Sequence, residues 1–108
     1  MIKPSDLLHE ARALIRTPPH WIKQLSQITC NGRTCYCISG AMNAARNAAT
    51  LPSYEGDRIF KTAWEGLRDV TPIGSPVGFN DEPTTSHEDM MLLLDAAIGI
   101  QQAEEEND

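Results

Sequence analysis

The chain has 108 residues, 41% hydrophobic and 22% charged, enough for one modest core but not two, and outside the highly charged, apolar-poor regime of disordered chains. Its formal charge of −6, from 15 acids against 9 lysines and arginines, repels phosphate backbones, so nucleic acid is not the expected main partner unless Arg12, Arg16, Lys23 and Arg33 gather into a local patch. No apolar run approaches the roughly 20 residues that span a bilayer, and no secretion signal accompanies the cysteines, so we expect a cytoplasmic protein that keeps its thiols free.

In chain order, Leu7, Leu8, Ala11, Leu14 and Ile15 share one helical face, with Ser5 as the expected N-cap and Pro18-Pro19 as the stop. The segments "WIKQLSQITC" and "RTCYCI" flank Asn31-Gly32, a pair suited to a type I′ turn because both central residues need positive φ. A small-residue helix follows from Ile38, with Ile38, Ala41, Met42 and Ala45 on one stripe, until Pro52 interrupts. Residues 54 to 69 predict a third helix with Ile59, Phe60, Ala63, Trp64 and Leu67 at core spacing. Three prolines and two glycines then predict a connection over 71–84. Thr85 and Glu88 form a capping-box pattern that opens a last helix through Met91, Leu94 and Ile98. Beyond about Ile100 the apolar pattern stops, and residues 101–108 are expected to fray into an acidic tail. The result is a single α+β domain over 1–100, mainly α: helix, β-hairpin, then three helices packed on the hairpin.

Three cysteines lie between positions 30 and 37. An Asn31-Gly32 loop pairs Cys30 with Arg33 and Ile28 with Cys35, which places Ile28, Cys30, Cys35 and Cys37 on one face. Cys30 and Cys35 become diagonal neighbours with Cα atoms roughly 7 to 8 Å apart, beyond comfortable disulfide reach. Zinc is served by two close ligand pairs. The Cys-x4-Cys-x-Cys spacing supplies no second pair, and a fourth ligand would have to come from His20 or His87. We therefore expect no metal and no cofactor, and read the row as the core side of the hairpin. Cys37 has a sharper alternative, because it sits at a helix start where the dipole lowers a thiol pKa. As a nucleophile it would need His20 or His87 as base, with Asn80 or Asp81 orienting that base.

His20-Trp21 follows the proline pair. Trp21 is either an interface anchor or, more simply, the closure between the first helix and the hairpin. Asn80 and Asp81 are candidates for binding a ligand, though such a pair commonly fixes a turn through nearby backbone. Met90 and Met91 fall at core spacing in the last helix.

The stretches "HWIK", "NGRTCYCISGAMNAA" and "VGFNDEPTTSHEDMMLLLDAAI" resemble a family of small uncharacterised actinobacterial and actinophage proteins. In that family a Gly/His-Trp pair precedes a Cys-x-x-Gly-Ala helix start, and an aromatic-Asn-Asp turn leads into a Thr-capped C-terminal helix. The matching positions are His20, Trp21, Cys37, Gly40, Ala41, Asn80, Asp81, Thr85 and Glu88. The chain departs at Phe79, where the family has tryptophan, and Cys30 and Cys35 are extra. The resemblance implies a shared fold without a reaction, and a phage or actinobacterial cytoplasmic setting in which a small acidic protein binds a host protein. A non-enzymatic protein-interaction module is thus the leading expectation. A cysteine-dependent, hydrolase-like enzyme built on Cys37 and a zinc-stabilised binding domain are the alternatives.

Overall fold

Helix α1 (Pro4–Leu14) begins where a proline is best tolerated, at the first helical position, whose N–H has no intrahelical partner. That placement moves the N-cap from the expected Ser5 to Lys3, whose N–H donates to the Asp6 carboxylate at 2.8 Å. The computed structural model describes residues 2–107, and Cys30 by its backbone alone. After α1 a 3-10 turn, Pro18–His20, leads to strands β1 (Gln27–Cys30) and β2 (Arg33–Tyr36), then α2 (Ile38–Ala48), α3 (Ser53–Val70), α4 (Pro76–Asp81) and α5 (His87–Glu106).

The hairpin has the expected register, Cys30 opposite Arg33 and Ile28 opposite Cys35. Asn31 and Gly32 take φ of 52° and 79°, the left-handed pair that matches the twist of the strands. Two strands are marginal by themselves. Here β2 gains a second neighbour, with Trp21 bridging to Tyr36 and the Ile22 N–H donating to the Tyr36 carbonyl at 3.0 Å. One expectation for this face fails: Cys35 and Cys37 are buried, but Ile28 is exposed. Alternation sets the side on which Ile28 lies without guaranteeing its burial. The expected inward position of the Cys30 side chain lies outside the described residues.

The core is helical. Leu7, Leu8, Ala11 and Ile15 from α1 and its C-cap meet Ile38, Ala41, Met42 and Ala45 of α2, Ile59, Ala63 and Leu67 of α3, and Met90, Leu94, Ala97 and Ile98 of α5. Helix α1 is central, packed against α2, α3 and α5. Each of its large apolar side chains gains about 1.5–3 kcal/mol on burial. Phe60 and Trp64, one turn apart, stack at 6.1 Å and lie half-buried over this core. Arg12 of α1 pairs with Asp95 of α5 at 2.7 Å, and Arg46 of α2 with Asp57 of α3.

Three further sequence expectations change. The 71–84 connection contains α4, which a helix-propensity reading misses because its six residues include Pro76 and Gly78. Its start is specified locally instead: the Ser75 hydroxyl accepts from the Gly78 N–H at 3.0 Å, and Pro76 takes the first helical position. Helix α5 is capped one residue later than expected, by a reciprocal pair in which Ser86 Oγ accepts from the Asp89 N–H (3.1 Å) and the Ser86 N–H donates to Asp89 Oδ2 (2.9 Å). Thr85 is instead buried. Finally, α5 does not fray near Ile100 but runs through Glu106. It is held there by Glu105, which accepts from the Ser5 N–H (3.0 Å) and the Ser5 hydroxyl (2.6 Å) at the start of α1.

Candidate functional site

Four of the residues singled out from sequence, Trp21, Asn80, Asp81 and His87, meet where the end of α4 lies against the hairpin-to-α2 junction. Asn80, in the last turn of α4, is fully buried. Its Oδ1 accepts from the Trp21 indole N–H at 2.6 Å and from the Ile38 N–H at 3.0 Å. Its Nδ2 donates to the Ile22 carbonyl at 3.0 Å and to Asp81 Oδ1 at 3.1 Å. A primary amide offers two donor hydrogens and one acceptor oxygen with two lone pairs, and all of these are engaged. The node ties three segments together through one side chain: the Trp21–Ile22 stretch, the start of α2 and the end of α4.

The bond to Ile38 has a particular use. The first N–H groups of a helix lack intrahelical partners and are ordinarily met by an N-cap side chain. Cys37 occupies the N-cap of α2 but makes no side-chain cap bond. Asn80 supplies the acceptor instead, from a helix 42 positions away in sequence. Nearby, the Cys37 N–H donates to the Ser26 carbonyl at 3.1 Å. A Cβ placed on Gly40 would lie 1.8 Å from that same carbonyl oxygen, so glycine is what allows α2 to lie so near the chain entering β1.

Asp81 extends the node. Its Oδ1 also accepts from the Gln24 N–H at 2.7 Å and so holds Gln24 at φ 70°, a left-handed conformation that is uncommon for a residue with a Cβ. Lys23 donates to the Glu82 carbonyl at 2.6 Å and lies 5.4 Å from the Trp21 ring centroid, within cation–π range. Trp21 also meets His87, ring centroids 6.0 Å apart in a T-shaped arrangement, and His87 Nε2 is 2.7 Å from the Ile15 carbonyl oxygen at the end of α1.

The thiols point elsewhere. Cys37 Sγ lies 3.5 Å from Ser39 Oγ, and Cys35 Sγ donates to the Pro19 carbonyl at 3.3 Å. Trp21, Asn80, Asp81 and His87 are thus brought together, while Cys37 is joined to the node through its backbone and the Ile38 amide rather than by a thiol–histidine hydrogen bond. His20 lies half-exposed in the 3-10 turn, and its side chain joins neither the node nor the thiol among the described hydrogen bonds. No group of three or more His, Cys, Asp or Glu side chains among the described residues could hold a metal ion, and no described helix is long and apolar enough to cross a membrane.

A model of a family of unknown function, DUF6197, matches residues 1–100. The chain belongs to that family. The matched span includes the whole node, from Trp21 to His87. No curated protein and no solved structure matches the chain.

Several participants carry no local sequence signal. Ile22, Ser26 and Ile38 act through backbone groups, and Gln24 has neither glycine nor asparagine character to announce its positive φ. Gly40 is the exception: a glycine in the first turn of a small-residue helix suggests close backbone approach.

Proposed function

We propose that this DUF6197 chain is a non-enzymatic protein-interaction module, of phage or actinobacterial origin, that acts in the cytoplasm by binding a host protein. The observation that carries this reading is α5, which is apolar on two sides. Leu94, Ala97 and Ile98 are buried in the core, while Leu92, Ala96, Gly99 and Ile100 are exposed on the opposite side. Helices on a protein surface ordinarily turn polar residues outward, and an apolar stripe bordered by charge is the usual mark of an interaction site. The node around Asn80 supports the same reading. The polar atoms of the Asn80 side chain are all engaged within the chain, which supports reading it as a residue that holds the scaffold in shape.

Affinity capture with the 108-residue chain from actinobacterial lysate, followed by mass spectrometry and titration of the purified candidate, tests it. A saturable complex lost on Leu92→Gln is expected. Capture of nothing above a matched control protein, or a partner whose affinity ignores Leu92→Gln and Ile100→Gln, would sink the reading.

A further inference from the structure

Along α5, Leu92, Ala96, Gly99, Ile100 and Ala103 recur at helical spacing on the exposed side, and nothing lies within 4 Å of a Cβ placed on Gly99. Ile100, 47% exposed, is also one wall of a groove of about 160 Å³ between α3 and α5. That is small beside the roughly 300–1,000 Å³ of a site for a drug-sized molecule, and it suits one long side chain. Val70 and Ile100 provide its apolar lining, and Glu65, Asp69 and Glu104 its charges, with no lysine or arginine among the lining residues. Asp69 has one exposed ion pair, 3.7 Å from Arg68, weak in water. The three carboxylates are not grouped closely enough to hold a metal ion.

A second observation points to a ligand. Gln101 is only 5% exposed, yet its carboxamide makes no hydrogen bond among the described residues and lines the groove. It rests against Gly66, where a Cβ would come within 2.4 Å of Nε2. No buried side-chain nitrogen or oxygen is left unpaired among the described residues, so the Gln101 amide faces the groove's solvent rather than the core, and its oxygen is open to accept from a cationic head group alongside the carboxylates.

We propose that this groove seats a lysine or arginine side chain from a basic, amphipathic helical segment of the protein partner, whose apolar face covers the Leu92–Ile100 stripe. The inference rests on the interaction reading above and names the partner's chemistry. The aliphatic stem would lie on Val70 and Ile100 with its charge among Glu65, Asp69 and Glu104. Small residues at Ala96 and Gly99 let a helix axis approach closely. A second copy fits poorly, because the stripe is flanked by Glu88 and Asp89 at one end and Glu104 and Glu106 at the other. Either orientation of two such helices sets acid against acid.

The probe is a synthetic amphipathic Leu/Lys helix of about 18 residues, titrated by fluorescence anisotropy against the 108-residue chain, with a shuffled Leu/Lys peptide of equal charge as comparison. The amphipathic peptide is expected to bind at least about tenfold tighter than the shuffled one, to weaken about tenfold with E65Q/D69N/E104Q, and to change less than about twofold with E10Q/E55Q/E82Q, which removes the same charge elsewhere. The side-chain amide resonances of Gln101 should shift on binding in the parent chain. Equal binding of the shuffled peptide, equal weakening by the two triple variants, or an unmoved Gln101 amide overturns the proposal, since net charge alone would then account for binding. So does concentration-dependent dimerisation that L92Q abolishes. A lysate partner held equally by the parent chain and E65Q/D69N/E104Q overturns the groove assignment while leaving the interaction module standing; a parent chain that captures no partner removes both.

Discussion

Asn80 carries more of the architecture than any other polar side chain described, because its one oxygen meets both an indole N–H and the first amide of α2. In Asn80→Ala the Ile38 amide is left buried without a partner and the Ile22 carbonyl loses its donor. We expect a loss of about 2–4 kcal/mol, read from urea unfolding followed by tryptophan fluorescence. A loss under about 1 kcal/mol would mean that water or a shifted Asp81 replaces the amide readily. Asp89 gives a prediction in pH. The Ser86 backbone N–H and then the Ser86 hydroxyl hold its carboxyl below the usual aspartate range. A lowered folded pKa gives stability that is complete above the unfolded-chain value and disappears as pH falls through the folded one. The parent chain should therefore exceed Asp89→Asn in thermal midpoint at neutral pH, and the gap should close in acid, below the ordinary aspartate range. A gap independent of pH from neutral to strongly acidic would locate the effect outside this carboxylate.

Among the elements, two helical glycines make opposite predictions. Gly99→Ala meets nothing within 4 Å and should stabilise α5 by about 0.5–1 kcal/mol through helix propensity. Gly40→Ala drives a Cβ to 1.8 Å from the Ser26 carbonyl oxygen, a backbone atom fixed by its bond from Cys37. It should lower the thermal midpoint steeply or prevent folding, and a neutral result would show that the strand entry can move away from α2. The hairpin, α1, α2, α3 and α5 were legible because their signals are local: Asn31-Gly32 selects its own turn, and Ile59, Ala63 and Leu67 repeat at helical spacing. Helix α4 was not, since its one clear signal, Ser75-Pro76, is also how many turns begin. The choice of Ser86 over Thr85 was equally hidden, because Thr85-x-x-Glu88 and Ser86-x-x-Asp89 both satisfy the capping pattern. Burial of Thr85 in the assembled fold decides between them.

At the scale of the whole molecule, the candidate residues were legible as a set but not as an arrangement. Trp21 and Asn80 stand 59 positions apart, and nothing in either neighbourhood states that one side chain will bond the other. The same holds for the end of α5, where an acidic run reads as solvated until Glu105 is seen on Ser5. Removing residues 101–108 takes away that pair of charge-assisted hydrogen bonds and the buried Gln101. We expect a loss of about 2–3 kcal/mol, measured by chemical denaturation; an unchanged unfolding midpoint would return this segment to the status of a tail. The contact between Ser5 and Glu105 also sets the first turn of α1 beside the last turn of α5, so a covalent link between these two turns would close most of the fold into one loop and act chiefly by restricting the unfolded chain.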